Sequence, residues 1–239
     1  MDDQPVRRFR PDPGASPPSD DVWPVTVAAV GQIVREGLEL PPGATVLVGE
    51  NGSGKSTVLE VLAAALGLNA EGGSAGARHS TRPSEPGHLD LIVERSPGAD
   101  RWAYFLRDET LHGLYSYLEA NPPARGGEPR FHELSHGEAF LALLGRRATS
   151  GGLYLLDEPD AALSFTGTLS LVVQLAGLVD RGAQVVVATH SPVLAALPGA
   201  RLLEVGGWGL REVAWADLEL IASWRQFLGD PKSFLRHLA

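Results

Sequence analysis

The sequence of 239 residues contains no cysteine, which excludes disulfide bonds, thiolate metal sites and cysteine nucleophiles. Lysine is nearly as scarce, since only Lys55 and Lys232 occur beside eighteen arginines. No stretch approaches 18 consecutive apolar residues, so no transmembrane helix is predicted. The polar, proline-rich start does not fit a signal peptide. These absences predict a cytoplasmic protein without direct membrane insertion.

Positive charge is also in deficit, with 20 basic residues against 29 acidic ones and a net charge of -9. Proteins dedicated to nucleic acids usually carry an excess of basic residues. The charge therefore does not support nucleic-acid binding by the whole chain, although a local basic groove stays open as an alternative.

The order of apolar runs predicts an α/β protein. Residues 153–156 and 185–188 are unbroken apolar runs, the pattern of strands covered on both faces in a parallel sheet. Residues 169–181 supply a crossover helix between them. Residues 1–21 are polar and rich in proline, which predicts a disordered or loosely packed tail before a single domain over 22–239.

Two segments read as antiparallel hairpins. Strand-like runs at 89–94 and 102–106 flank a turn, and a closing pair lies at 202–205 and 210–213. A helical subdomain is expected over about 107–148.

A phosphate-binding loop is the strongest single signal. Residues 49–57 match the pattern G-x-x-x-x-G-K-[ST] in full, with a strand before and a helix after. Such glycines let backbone N–H groups face a phosphate at the positive end of a helix. The alternative is a glycine-rich turn that merely caps a helix. The predicted nucleotide-binding residues are Gly49, Glu50, Asn51, Gly52, Ser53, Gly54, Lys55, Ser56 and Thr57.

Within that loop Lys55 is expected to reach the β and γ phosphates, and Ser56 to ligate Mg²⁺. Asp157 and Glu158 follow the apolar strand 153–156, where parallel sheets place their ligands. We expect Asp157 to hold Mg²⁺ and Glu158 to act as the general base toward water. An acidic pair in this position is also common as a solvated strand end.

Further segments stand in a recognisable order around these two. They are residues 134–138 (LSHGE), 159–164 (PDAALS) and 188–192 (ATHSP). With the phosphate loop and the acidic pair, they resemble the Walker A, signature, Walker B, D-loop and switch-histidine motifs of ATP-binding cassette (ABC) ATPases over residues 45–210. The chain looks similar to the small stand-alone bacterial ABC-type (AAA family) ATPases related to chromosome-maintenance and recombination heads.

The resemblance implies a P-loop NTPase fold, ATP and Mg²⁺ as ligands, and an ATP-dependent homodimer that acts on an unknown client protein. It implies that Ser135 and Gly137 contact the γ phosphate held by the other protomer, that His190 contacts the same phosphate, and that residues 161–164 cross the dimer interface. Ser135 and Glu138 are also a helix capping box, and a histidine before Ser-Pro is often a simple turn residue.

Departures from the family pattern are equally specific. His136 stands where glycine is common, Glu138 where glutamine is common, and Ser164 where aspartate is usual. No glutamine lies between the phosphate loop and the signature segment, so the Q-loop glutamine is missing, and Arg107 or Glu109 is expected to take over part of its role. Trp23 is the candidate for stacking on adenine, or else an anchor in the core.

The leading hypothesis is a cytoplasmic Mg²⁺-dependent ATPase whose catalytic residues are Lys55, Glu158 and His190. A transporter ATP-binding subunit is the first alternative, opposed by the missing glutamine. A repair- or recombination-linked ATPase is the second, opposed by the acidic charge and the lack of a coiled coil. A kinase is the least favoured, because no second substrate pocket is evident.

Overall fold

A computed structural model describes residues 4–16, 18–69, 73–74, 89–107, 133–134, 136–148 and 151–236. The strands are β1 (Arg8–Pro11), β2 (Leu38–Glu39), β3 (Ala44–Val48), β4 (Gly73–Ser74), β5 (Leu91–Glu94), β6 (Ala103–Arg107), β7 (Gly152–Asp157), β8 (Ala183–Thr189), β9 (Arg201–Gly206) and β10 (Gly209–Glu212). The helices of the described part are α1 (Ala28–Glu36), α2 (Lys55–Ala65), α3 (His136–Arg147), α4 (Phe165–Asp180), α5 (Glu219–Gly229) and α6 (Pro231–Leu235).

A seven-stranded sheet with the order β10-β9-β3-β8-β7-β6-β4 forms the centre of the molecule. Its five inner strands are parallel, and the outer strands β10 and β4 are antiparallel to their neighbours. Because the carboxyl ends of parallel strands meet at one edge, the residues that follow β3, β6, β7 and β8 come together there. The predicted α/β fold with a mostly parallel sheet is confirmed.

Apolar side chains cover both faces of this sheet. In β3, Val46 and Val48 belong to the cluster that includes residues of α3 and α4, whereas Leu47 belongs to the cluster that includes residues of α1 and α2. Every residue of β7 and β8 is buried. The unbroken apolar runs at 153–156 and 185–188 therefore reflect strands without a solvent face, as predicted.

The N-terminal segment departs from the prediction. Strand β1 pairs antiparallel with β2 and β5 in a second, three-stranded sheet, and Val6 and Phe9 are fully buried. The Gln184 side chain on β8 accepts a hydrogen bond from the Val6 N–H at 3.0 Å and donates to the Val6 carbonyl at 2.9 Å. The expectation of a disordered or loosely packed tail is wrong for residues 4–11, because Val6 and Phe9 are buried and the backbone of β1 pairs with two other strands.

The predicted hairpin between residues 89–94 and 102–106 is also wrong. Strand β5 pairs with β1, whereas β6 lies in the main sheet, parallel to β7 and antiparallel to β4. Four of the five residues of β6 are buried, but all four of β5 are only half buried. The two strands have different burial because they belong to different sheets.

The remaining predicted elements agree with the structure where it describes them. Strands β9 and β10 form the closing hairpin, α4 is the crossover helix, and α5 and α6 follow. Of the helical subdomain predicted over about 107–148, α3 is described and most of the remainder, including Ser135 and Glu109, lies outside the described residues. No helix among the described residues is long and apolar enough to cross a bilayer.

Candidate functional site

The phosphate-binding loop connects β3 to α2 and lies tightly against its surroundings. Gly54 has a φ of 99°, in the left-handed region that favours glycine, and a methyl group there would overlap the side chain of Val27. A Cβ atom at Gly49 would lie 2.6 Å from the carbonyl oxygen of Val205. Glycine is required at both positions, since the loop can follow this path only without side chains there.

The ammonium group of Lys55 lies inside the loop. Its side chain is 3% exposed and donates hydrogen bonds to the carbonyl oxygens of Gly49 at 2.9 Å and Glu50 at 2.8 Å. Burial lowers the pKa of Lys55, and the negative charges of Glu158 and Asp157 counteract part of this effect. A compact positive charge is thus held at the N-terminus of α2, where anions bind most readily.

Two oxygen ligands meet beside the lysine. The Ser56 hydroxyl at the start of α2 donates a hydrogen bond of 3.0 Å to the Asp157 carboxylate at the end of β7. Burial raises the pKa of Asp157 to about 6, although the Arg107 guanidinium and the Ser56 hydroxyl each lower it. Arg107, at the end of β6, lies 3.5 Å from Asp157 and forms an ion pair of 2.6 Å with Glu60 of α2.

Glu158 adopts a backbone conformation that is rare for a side-chain-bearing residue. Its φ is 47°, and it is the one non-glycine residue with positive φ in the described part of the chain. Such conformations cost about 1–3 kcal/mol and cluster at functional sites. Its carboxylate lies 3.2 Å from Nδ1 of His190 and 3.9 Å from Nζ of Lys55. The turn therefore directs the carboxylate into the site instead of along the strand.

A hydrogen bond links the residues that follow β7 and β8. The Thr189 hydroxyl, fully buried, donates to the Asp160 carboxylate at 2.9 Å. The Ser191 N–H in turn donates to the Thr189 hydroxyl at 2.9 Å. This link joins the two turns that carry Glu158 and His190, because Glu158 lies two residues before Asp160 and His190 directly follows Thr189.

Together these groups line a cleft of about 500 Å³ at the carboxyl edge of the sheet. The cleft brings together predicted residues from the phosphate loop and from the end of β7; its lining is Val27, Asn51, Gly52, Gly54, Lys55, Ser56, Thr57, Asp157, Glu158 and Ala161. His190 does not line the cleft itself, but its Nδ1 lies 3.2 Å from the carboxylate of Glu158, which does. Sequence reasoning missed Val27, whose apolar side chain carries no motif signal, and it assigned no role to Thr189 within the 188–192 segment.

Other predicted residues lie apart from the cleft. Gly137 packs against the D-loop, so that a Cβ atom there would lie 2.7 Å from the Leu163 side chain and 3.0 Å from the Ala162 carbonyl oxygen. Trp23 is 46% exposed and does not line the cleft. Neither Trp23 nor Gly137 lines the cleft beside the phosphate loop.

Comparison with known proteins connects this geometry to a family. Residues 26–94 match a family model described as "AAA domain", and residues 126–196 match one described as "AAA domain, putative AbiEii toxin, Type IV TA system". The chain is 33% identical to the cytochrome c biogenesis ATP-binding export protein CcmA of Rhizobium meliloti, over 69% of this chain and 85% of that protein. The chain belongs to the family of ABC-type ATPases. It binds ATP and is an ATPase.

Two more matches extend the comparison of this ABC-type ATPase. The CcmA export protein of Paramagnetospirillum magneticum is 33% identical, over 76% of this chain and 91% of that protein. Among solved structures, the SMC head domain from Thermotoga maritima superposes with a TM-score of 0.44 and 16% identity, covering 74% of this chain and 93% of that one.

Proposed function

We propose that this ABC-type ATPase binds MgATP in the cleft between α2 and β7, hydrolyses it, and closes as a homodimer around the nucleotide to drive a partner process. One observation carries the proposal: side chains from three separate segments, with Lys55, Asp157 and His190 among them, converge at the carboxyl edge of one sheet. In P-loop ATPases a lysine binds the phosphates, a hydroxyl and an aspartate hold Mg²⁺, and a further polar side chain orients the attacking water.

Residues 49–57 would hold the phosphates. Their backbone N–H groups and the N-terminus of α2 offer a positive potential to the anion. Lys55 would exchange its hydrogen bonds to the loop carbonyls for bonds to the β and γ phosphates, because those acceptors carry full negative charge.

Ser56 and Asp157 fit a magnesium ion. Their oxygens already lie 3.0 Å apart, and hydroxyl and carboxylate oxygens are the ligands that Mg²⁺ prefers. The described residues contain no cluster of three or more acidic or histidine side chains for a metal. That suits Mg²⁺, which is usually held by one or two protein oxygens together with phosphates and water. The ion would neutralise charge on the phosphates.

Glu158 would act as the general base toward the attacking water. Its strained backbone turns the carboxylate into the cleft, and His190 contacts that carboxylate at 3.2 Å. His190 would therefore orient Glu158 as well as contact the γ phosphate. Nζ of Lys55 lies 3.9 Å from the same carboxylate.

The packing of Gly137 supports a second copy of the chain. Gly137 lies against residues 162 and 163 and away from the cleft of its own chain, so the start of α3 and the D-loop form one continuous surface. Ala161, Ala162 and Ser164 on that surface are exposed. We infer that this surface, with Ser135 and Gly137, closes over the nucleotide of the partner in an isologous dimer.

The decisive experiment uses Glu158→Gln, which should bind MgATP without hydrolysing it. Size-exclusion chromatography with light scattering should show a monomer without nucleotide and a dimer with MgATP. The matched control Glu158→Gln combined with Lys55→Ala should stay monomeric, because its phosphate site is lost. A Glu158→Gln protein that remains monomeric with saturating MgATP would contradict the dimer.

A second candidate is the ATP-binding subunit of an exporter. The observation in its favour is that both relatives are named as ATP-binding export proteins. Under this hypothesis, Glu158→Gln should retain a membrane protein with several spans when it is purified from detergent-solubilised native membranes. Recovery of only water-soluble partners, or of none, would favour the first candidate.

A further inference from the structure

A second cavity, of about 600 Å³, lies on the other flank of the phosphate loop. In the sheet order, β9 lies on one side of β3, and β8 followed by β7 lies on the other side. This cavity lies toward β9, whereas the nucleotide cleft lies toward β7. Its walls are residues 49–53, the turn between β9 and β10, and one side of α5 and α6. Its volume is in the range of about 300–1,000 Å³ that suits a small organic ligand.

Aromatic rings dominate the walls of this cavity. Trp224 and Phe227 meet edge to face at 6.4 Å between centroids, and Phe227 meets Phe234 in the same way at 5.8 Å. Trp208 lies on the opposite wall, folded back over Gly206, where any side chain would collide with its indole ring. Trp208, Trp224 and Phe234 are each 41–49% exposed, so the rings are accessible to a ligand.

Every charged side chain that lines the cavity in the described part of the chain is acidic. These side chains are Glu50, Glu204 and Glu219. Arg211, outside the cavity, binds Glu204 at 2.5 Å and Glu219 at 2.9 Å. One guanidinium thus stands against three carboxylates, so these side chains together carry a net negative charge, which favours a cationic ligand over an anionic one.

Arg211 also shows which chemistry this environment accepts. Its guanidinium lies over the Trp208 ring, 4.0 Å from the centroid. Cations are attracted to the faces of aromatic rings, and cages of such rings recognise quaternary ammonium groups. Aromatic walls combined with an excess of carboxylates over cationic side chains are complementary to a ligand that is both apolar and positively charged.

We propose that this cavity, bounded by Trp208, Trp224, Phe227 and Phe234, is a binding site for a small organic cation that carries an aromatic or alkyl group. The site is separate from the nucleotide cleft, and its existence does not depend on ATP hydrolysis. The two cavities share Asn51 and Gly52 of the phosphate loop, but Lys55 and Asp157 line only the cleft, so a ligand of this cavity would lie against the loop beside the cleft.

The test uses benzyltrimethylammonium as the probe, titrated into the full chain and followed by ligand-observed NMR. We expect saturable binding, and at least about threefold weaker binding of the uncharged carbon isostere 2,2-dimethylpropylbenzene. Trp224→Ala should weaken binding of the cation about tenfold. Leu228→Ala is the matched control, because Leu228 is exposed on the same helix but does not line the cavity.

Glu219→Gln isolates the charge. It should weaken binding of the cation about threefold and leave binding of the neutral isostere unchanged. Equal binding of the two probes, equal loss in Trp224→Ala and Leu228→Ala, or the absence of saturation at millimolar probe would overturn the proposal. Displacement of the probe by adenosine would also overturn it, because the cavity would then be the base subsite of the nucleotide.

Discussion

The chemistry of the site depends on a few residues whose surroundings change their properties, and Glu158 is the clearest example. Its backbone strain is maintained because Thr189 and Asp160 tie the neighbouring turns together. Such a conformation costs stability, and the contacts around it keep the side chain directed into the cleft.

Glu158→Gln should lower the rate of ATP turnover about 100- to 10,000-fold, the usual contribution of a general base, while nucleotide binding is retained. Phosphate release and equilibrium binding of a fluorescent ATP analogue measure the two quantities separately. His190→Ala should lower turnover less, since it acts partly through Glu158. Loss of nucleotide binding in Glu158→Gln would show that the carboxylate serves the phosphate site and not the water.

Asp157 makes the protein without nucleotide sensitive to pH. Because its pKa is raised from 3.8 to about 6 on folding, the folded chain binds this proton more tightly than the unfolded chain. This carboxyl therefore lowers stability as the pH rises from about 4 to about 6, and the full penalty is present above that range. Metal binding would offset the penalty, since it uses the ionised form.

Asp157→Asn should accordingly stabilise the nucleotide-free protein at pH 8, by at most about 3 kcal/mol at about 1.4 kcal/mol per pKa unit. The gain should fall below about 1 kcal/mol near pH 4, because the carboxyl is then protonated in the folded state and about half protonated in the unfolded state. Thermal unfolding of both proteins at the two pH values measures it. A gain of the same size at pH 4 would show that packing, not charge, is responsible.

Arg107 places a fixed positive charge 3.5 Å from the carboxylate proposed to bind Mg²⁺. Arg107→Gln should therefore lower the Mg²⁺ concentration needed for half-maximal nucleotide binding, because a cation that competes for Asp157 is removed. Arg201→Gln is the matched control, since Arg201 pairs with Glu212 away from the site. A higher Mg²⁺ requirement in Arg107→Gln would mean instead that Arg107 positions Asp157 through Glu60.

At the scale of elements, local sequence patterns predicted where strands form but not which strands pair. Residues 89–94 and 102–106 are near in sequence and both read as strands, yet they join different sheets. The length of the apolar run indicated the difference, since β6 is buried on both faces and β5 is not. Strand β5 pairs with β1. Because β1 contains only one large apolar side chain, Phe9, its sequence gave little sign that it would form a strand.

Phe9→Ala should destabilise the protein by about 3–5 kcal/mol, the usual cost of a cavity at a fully buried phenylalanine. Val22→Ala, in the same N-terminal region but 57% exposed, should change stability by less than about 0.5 kcal/mol. Urea unfolding measures both. A small effect at Phe9 would revive the picture of a loosely packed N-terminal segment.

At the scale of the whole molecule, net charge opposes the proposed dimer. Each chain carries a charge of -9, so two copies repel each other, and salt screens the repulsion beyond about 10 Å at 0.1 M. For Glu158→Gln with saturating MgATP, the dimer dissociation constant should decrease as NaCl is raised from about 0.05 to about 0.3 M, because the screening length becomes shorter over this range. Sedimentation velocity measures it. Weaker dimers at higher salt would show that specific ion pairs dominate the interface.

The sequence by itself determined the fold class, the phosphate loop and the acidic pair, because a glycine-rich loop between strand and helix and a buried strand ending in carboxylates depend on local chemistry. It also supplied the family motifs that named Ser135, Gly137 and His190. Only the tertiary structure decided that β1 is part of the molecule's core, that Arg107 contacts Asp157, and that aromatic side chains from the β9–β10 turn, α5 and α6 surround one cavity. Those outcomes depend on contacts between residues far apart in the chain, and no local pattern records which partner a strand or a charge will meet.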